Sequence, residues 1–135
     1  MREIMLKDIV ESNDDDLIMK TLDDIKNVSD ESFISPCVDL LLHHENPFVR
    51  LKATEVLQNF NDPRIFEALL MAANDRDQFV RGFAAKLLGQ YVDERAEMKL
   101  KDMLNDQSGF VVDFAQKSLK TLEFKLKIQK IHARV

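Results

Sequence analysis

Few side chains in this 135-residue chain sit where they could do chemistry. His43-His44-Glu45 sets two imidazoles beside a carboxylate, a donor set that can hold a transition metal. Asp14-Asp15-Asp16 offers carboxylates to a hard cation, but it lacks the alternating spacing and the central Gly of a calcium loop. A capped, solvated helix start accounts for it. Cys37 is the one thiol, and no motif places a His or another base beside it, as an activated thiolate needs. Arg50 and Arg81 are cations that a ligand could use. The chain has no Gly-rich phosphate loop, nucleophile elbow or Walker-type run.

These residues change meaning when compared with those 31 positions away. Phe48-Val49-Arg50 returns at Phe79-Val80-Arg81 and at Phe110-Val111-Val112. Ala53, Ala84 and Ala115 keep the interval, as do Val38, Leu69, Leu100 and Ile131. A period of this length marks a stacked repeat array. One period beyond His43-His44-Glu45 stand Asn74-Asp75-Arg76, then Asn105-Asp106-Gln107. The position reads as a polar turn in every unit rather than as a metal centre. Arg50 and Arg81 share a repeat position, which favours a structural ladder to acidic groups of neighbouring units, such as Asp77 or Asp75.

The elements that position these residues are helices. Phe48, Val49, Ala53, Val56, Leu57 and Phe60 form one broad helical stripe, and Ile65, Phe66, Leu69, Leu70 and Ala73 another. Asn46, Asp77 and Ser108 stand one period apart before the first helix of each unit, and Asp15 extends the series backwards. All four can accept from free helix amides. Pro47 suits the first helical position. Asp62-Pro63 and Asp93-Glu94 open second helices. The pattern predicts an N-terminal helix over 2–12, first helices near 16–28, 47–60, 78–91 and 109–122, and second helices near 33–43, 63–74, 94–105 and 125–135. Phe124 replaces the expected cap before the last helix, and no Gly or Pro follows Phe110, so the last two helices can fuse.

Composition narrows the classes. A hydrophobic fraction of 45% allows a core, and three Gly and three Pro argue against disorder and against an all-β chain. The length suits one domain over 1–135. No run approaches the ~20 apolar residues of a membrane span, and the start has no cleavage-like signal; the expected compartment is the cytoplasm. Residues 1–45 carry 4 Lys/Arg against 12 Asp/Glu, a net −8, whereas residues 108–135 carry 6 against 2, a net +4. The overall −5 is poor equipment for nucleic acid, which needs a continuous cationic surface. The gradient reads first as serving solubility, and otherwise suits partners of opposite sign at each end, or head-to-tail contact between copies.

Asn46-Pro-Phe-Val49-Arg50-Leu-Lys-Ala53-Thr-Glu-Val-Leu57, with its counterpart Asp77 to Leu88, resembles short HEAT-like repeats, similar in length to the variant known from phycobilin lyase subunits. The resemblance is specific over 46–122 and looser outside. It implies an all-α solenoid of about four two-helix repeats (15–45, 46–76, 77–107, 108–135) plus an N-terminal capping helix, second helices usually lining a concave face. Family function ranges from adaptors and regulators to lyase subunits, a DNA-alkylation glycosylase group and a metal-dependent hydroxylase, so fold alone is weak evidence of activity. The hydroxylase type carries His-Glu pairs within first helices; here those slots hold Leu51-Lys52, Gly82-Phe83 and Asp113-Phe114.

The expected function is therefore a non-catalytic protein-binding scaffold or adaptor, with no cofactor, no metal, no nucleic acid and no membrane. Its expected binding face is that of the second helices. Repeat position places Phe33, Cys37 and Leu40, then Arg64, Ala68 and Met71, then Arg95, Lys99 and Asp102 toward solvent. Phe33, Leu40, Arg64, Met71 and Arg95 are the candidate contacts; the alternative for Phe33 and Leu40 is packing against the irregular first unit. Phe124, Ile128 and Ile131 form a second apolar stripe, expected to close the end of the core or to mediate self-association. Alternative readings are a phycobilin-lyase-like subunit handling a small ligand, and an inhibitory or toxin-neutralising protein with an acidic surface.

Overall fold

The computed structural model describes the backbone of residues 2–134 and the side chains of residues 6–134. The elements are α1 (Arg2–Val10), α2 (Asp15–Ile25), a 3-10 turn (Glu31–Phe33), α3 (Ile34–His43), α4 (Pro47–Leu57), α5 (Pro63–Ala72), α6 (Gln78–Leu88), α7 (Glu94–Met103) and α8 (Gly109–Ala133). Helix starts fall within about a residue of expectation because local capping chemistry sets them. Asn46 accepts from Phe48 N–H at 2.9 Å, Asp77 from Phe79 N–H at 2.8 Å and Asp93 from Arg95 N–H at 2.7 Å. Several helices end earlier than the apolar stripes do. Asn59 and Phe60 donate to Val56 and Leu57, and Gln90 and Tyr91 to Leu87 and Leu88, so these last turns tighten into i→i−3 bonds.

Two caps depart from the period. Asp14, one residue before the expected Asp15, caps α2 by accepting from Leu17 N–H at 3.1 Å. Asp15 instead accepts from Asn46 Nδ2 at 3.0 Å, which ties successive first helices. Ser108 holds the cap position of α8 but donates its hydroxyl to Gln78 Oε1 at 2.6 Å. At Phe124 no cap interrupts the chain, and α8 runs unbroken for 25 residues, the fusion that the missing breaker permits.

The helices fall into two compact units, Met1–Ala68 and Leu69–Val135, the division lying within α5. In the first, α2 and α3 pack on α4, and α1 packs against α2, α3 and the 3-10 turn. In the second, α6 and α7 both pack on α8. Each pair meets along periodic apolar rows, with Val49 and Ala53, Val80 and Ala84, and Val111 and Ala115 all fully buried.

Four of the expected second-helix surface positions are core. Phe33 and Leu40 are each 2% exposed. Their outward face lies where α1 packs over the 3-10 turn and α3, an addition the later units lack. Cys37 and Ala68 are buried because they share the i, i+3, i+4, i+7 core row, as in Ile65, Ala68, Leu69 and Ala72.

α6 and α8 meet closely because glycine stands where they touch. A Cβ on Gly89 would lie 2.8 Å from Ser118 Cβ and 3.1 Å from its Cα. Ala normally favours a helix end over Gly by up to about 1 kcal/mol. At this contact Gly89→Ala is expected to lower stability by about 1–3 kcal/mol instead, through forced separation of the helices. Urea denaturation followed by circular dichroism reads the sign.

Candidate functional site

The residues with chemical reach are mostly consumed by the repeat itself. His44 Nδ1 accepts from Asn46 N–H at 3.0 Å, and its Nε2 lies 3.3 Å from Asp15 Oδ1. One period on, Asp75 accepts from Asp77 N–H, and Asp106 from Ser108 N–H, each at 2.9 Å. All three side chains do the same work, satisfying the amide of the next helix cap. Among the described residues no three His, Cys, Asp or Glu side chains converge to hold a metal ion.

The repeated arginines are anchored. Arg50 is 5% exposed and donates Nη1 to the carbonyls of His44 and Glu45, each at 2.9 Å. Arg81 donates Nη1 to the carbonyls of Asp75 and Arg76, while Nε and Nη2 reach the two oxygens of Asp106 at 2.9 and 3.1 Å. The fork matches the carboxylate. Arg81 thus grips an acid of the following turn, Asp106, the periodic mate of Asp75, while Asp77 is a helix cap. The Arg81 guanidinium holds the Asp106 carboxyl below its ordinary range, against a smaller opposing effect of burial.

Arg64 and Arg95 do face solvent, at 56% and 57% side-chain exposure, yet each folds back on its own helix cap. Arg64 Nε and Nη2 each lie 3.0 Å from Asp62, and Arg95 Nε lies 3.5 Å from Asp93. Their recurrence follows from this local pairing. Met71 is 60% exposed. Cys37 is fully buried, and loss of solvation pushes its thiol up to about 12. It stays protonated and is no nucleophile at neutral pH.

Three surface features stand apart from the repeat's internal bonding. The first is the outward face of α8, where Phe124 is 66% exposed, Ile128 38% and Ile131 57%. At 3.6 residues per turn this row lies opposite the buried Leu119, Leu122 and Leu126. Those leucines close the core, so the Phe124 row does not. Exposed Lys125 stands to one side of it and Lys120 and Lys127 to the other, while Lys117 lies in line with it and pairs with Asp113 at 3.0 Å. The second is a depression of about 290 Å³ between α6 and α8, walled by Phe114, Gly89 and Ser118, with Lys86, Lys117 and Lys125 at its edge. The third is a groove of about 360 Å³ between α1 and α3, lined by Val10, Pro36, Glu11 and Asp39 with Lys7 and Ser35. Sequence reasoning missed both depressions, because each depends on how neighbouring helices are spaced.

Stacked helix pairs with a repeated cap, a repeated core row and a repeated inward Arg define an α-solenoid repeat protein. A model of HEAT repeats matches residues 34–120, and the chain belongs to the HEAT repeat family. The match names the repeat without its phycobilin-lyase variant. No curated protein matches the chain. Among the described residues no helix is long and apolar enough to cross a membrane.

Two outcomes follow from the buried groups. Cys37 in the native protein should fail to react with Ellman's reagent at pH 8 and react at once in 6 M guanidinium, so reaction in the native state contradicts its burial. Asp106→Asn should cost about 1–3 kcal/mol at pH 7, since it strips the charge from a part-buried ion pair. A carboxyl held below its unfolded value of about 3.9 contributes fully above that pH and loses the contribution as pH falls through its folded value. The penalty of Asp106→Asn should therefore shrink below about pH 4, measured as urea midpoints of variant and parent across pH 2.5–7.

Proposed function

We propose that this chain is a non-catalytic protein-binding module, acting in the cytoplasm, and that the outward face of α8 makes the contact. One observation carries the reading. Ile131 is the periodic mate of Leu69 and Leu100, both fully buried, yet it is 57% exposed. A residue of core type stands where no core reaches it, in a row with Phe124 and Ile128. Contiguous apolar surface rimmed by charge is the usual mark of an interaction site. HEAT repeats, which commonly serve as interaction scaffolds, give the reading its class. The corrected burial of Phe33 and Leu40 and the cap pairing of Arg64 and Arg95 move the site away from the second-helix face.

Phe124→Asp combined with Ile131→Asp changes only exposed positions and should leave helicity and thermal midpoint close to the parent's. Affinity capture from the native cell should recover a partner with the parent and lose it with this variant. Met71→Asp should retain capture. Equal recovery by parent and double variant removes α8 from the contact.

A further inference from the structure

The α8 face has a charge that limits what can cover it. Lys120, Lys125 and Lys127 flank the Phe124 row, and residues 108–135 carry +4. A symmetric α8–α8 pairing would bring these lysines against one another, which opposes association. An anionic bilayer also attracts a basic amphipathic helix, but it supplies no counterpart for the −8 of residues 1–45, which a second copy pairs with the basic segment. The fitting cover is an acidic protein surface with an apolar recess.

The chain possesses such a surface. Residues 1–45 carry −8. The α1–α3 groove has Val10 and Pro36 as apolar lining and exposed Glu11 and Asp39 as acidic lining against one exposed cation, Lys7. An adjoining depression shares Val10 and Glu11 and adds Glu45 and Asp15, the latter against His44, together with His43. The groove is open to solvent, with a volume of about 360 Å³. We propose that the α8 face of one copy docks in the α1–α3 groove of a second copy, Phe124 entering the recess while lysines meet Glu11 and Asp39. The proposal rests on reading the α8 face as a protein contact. Donor and acceptor are different patches, so the contact is heterologous and propagates head to tail unless a ring closes.

The lysines of the α6–α8 depression do not compete as an anion site. They lie at the C-terminal end of α6, where the helix dipole is negative and favours cations in its own right.

Sedimentation velocity tests the proposal. The mean mass of the parent should rise with concentration at 50 mM salt and fall back toward the monomer at 500 mM, since exposed ion pairs are screened. Glu11→Lys with Asp39→Lys removes the acceptor, and Phe124→Asp with Ile131→Asp removes the donor. Each variant alone should be monomeric, and an equimolar mixture should form a 1:1 dimer and nothing larger. Circular dichroism checks that each is folded, and Glu11→Gln with Asp39→Asn serves as a milder acceptor variant. A parent that stays monomeric at every concentration overturns the proposal. So does an acceptor variant that still self-associates, which would mean symmetric α8 pairing, or a mixture that stays monomeric. A monomeric parent whose capture of a foreign partner still depends on Phe124 and Ile131 overturns the second copy while leaving the α8 contact standing.

Discussion

A pair of helices ten or eleven residues long cannot bury its apolar rows by itself. Isolated helices of that length are marginal in water, and each gains its stability from packing against the next. The stacking of successive pairs is the constraint on which every other feature depends. It explains why the polar ties span about one repeat: Asn46 to Asp15, Lys52 to Asp23, Lys99 to Asn74 and Ser108 to Gln78 all join successive units. It explains Gly89, which lets α6 lie against Ser118. It also explains why the inward arginine matters. Arg81 ties two turn carbonyls to the Asp106 carboxylate, so one side chain fixes both a turn and the spacing to the following turn.

Features governed by the local chain were legible in the sequence. Asn46, Asp77 and Asp93 cap because a short side-chain oxygen reaches an amide two residues ahead, whatever the tertiary setting. The turn role of His44 was legible by comparison with Asp75 and Asp106. Features governed by a neighbour were less so. Which acid of the following turn Arg81 reaches, Asp106, depends on how far one pair is displaced along the next. Asp15 reads as a cap by period, but α2 begins one residue early and frees that carboxylate to bind Asn46.

The two largest departures occur where the period ends, for a common reason. A repeat position predicts burial only if the neighbouring element is also a repeat. Phe33 and Leu40 occupy positions whose later mates Arg64, Met71, Arg95 and Asp102 face solvent. α1 is no part of the repeat, and its packing over α3 and the 3-10 turn accompanies the burial of both residues. Their apolar character was a true signal of a covering partner, and the partner was within the chain.

Ile131 presents the converse. Its mate Leu100 is core because α7 turns back at a capped loop and packs on α8 and, to a lesser extent, on α6. At Phe124 there is no Asp to cap a new helix and no Pro or Gly to break the old one, so α8 continues straight on. Leu122 and Leu126 remain on the buried side, while Phe124, Ile128 and Ile131 are carried to the side that faces away. The cost of exposing them is the hydrophobic term itself, about 25 cal/mol for each Å² left in water. A chain that covers the extra apolar face of its first pair with α1 leaves that of its last helix bare. By the same reasoning that links α1 to the burial of Phe33 and Leu40, bare apolar residues on α8 call for a covering surface, which the proposed docking of a second copy would supply.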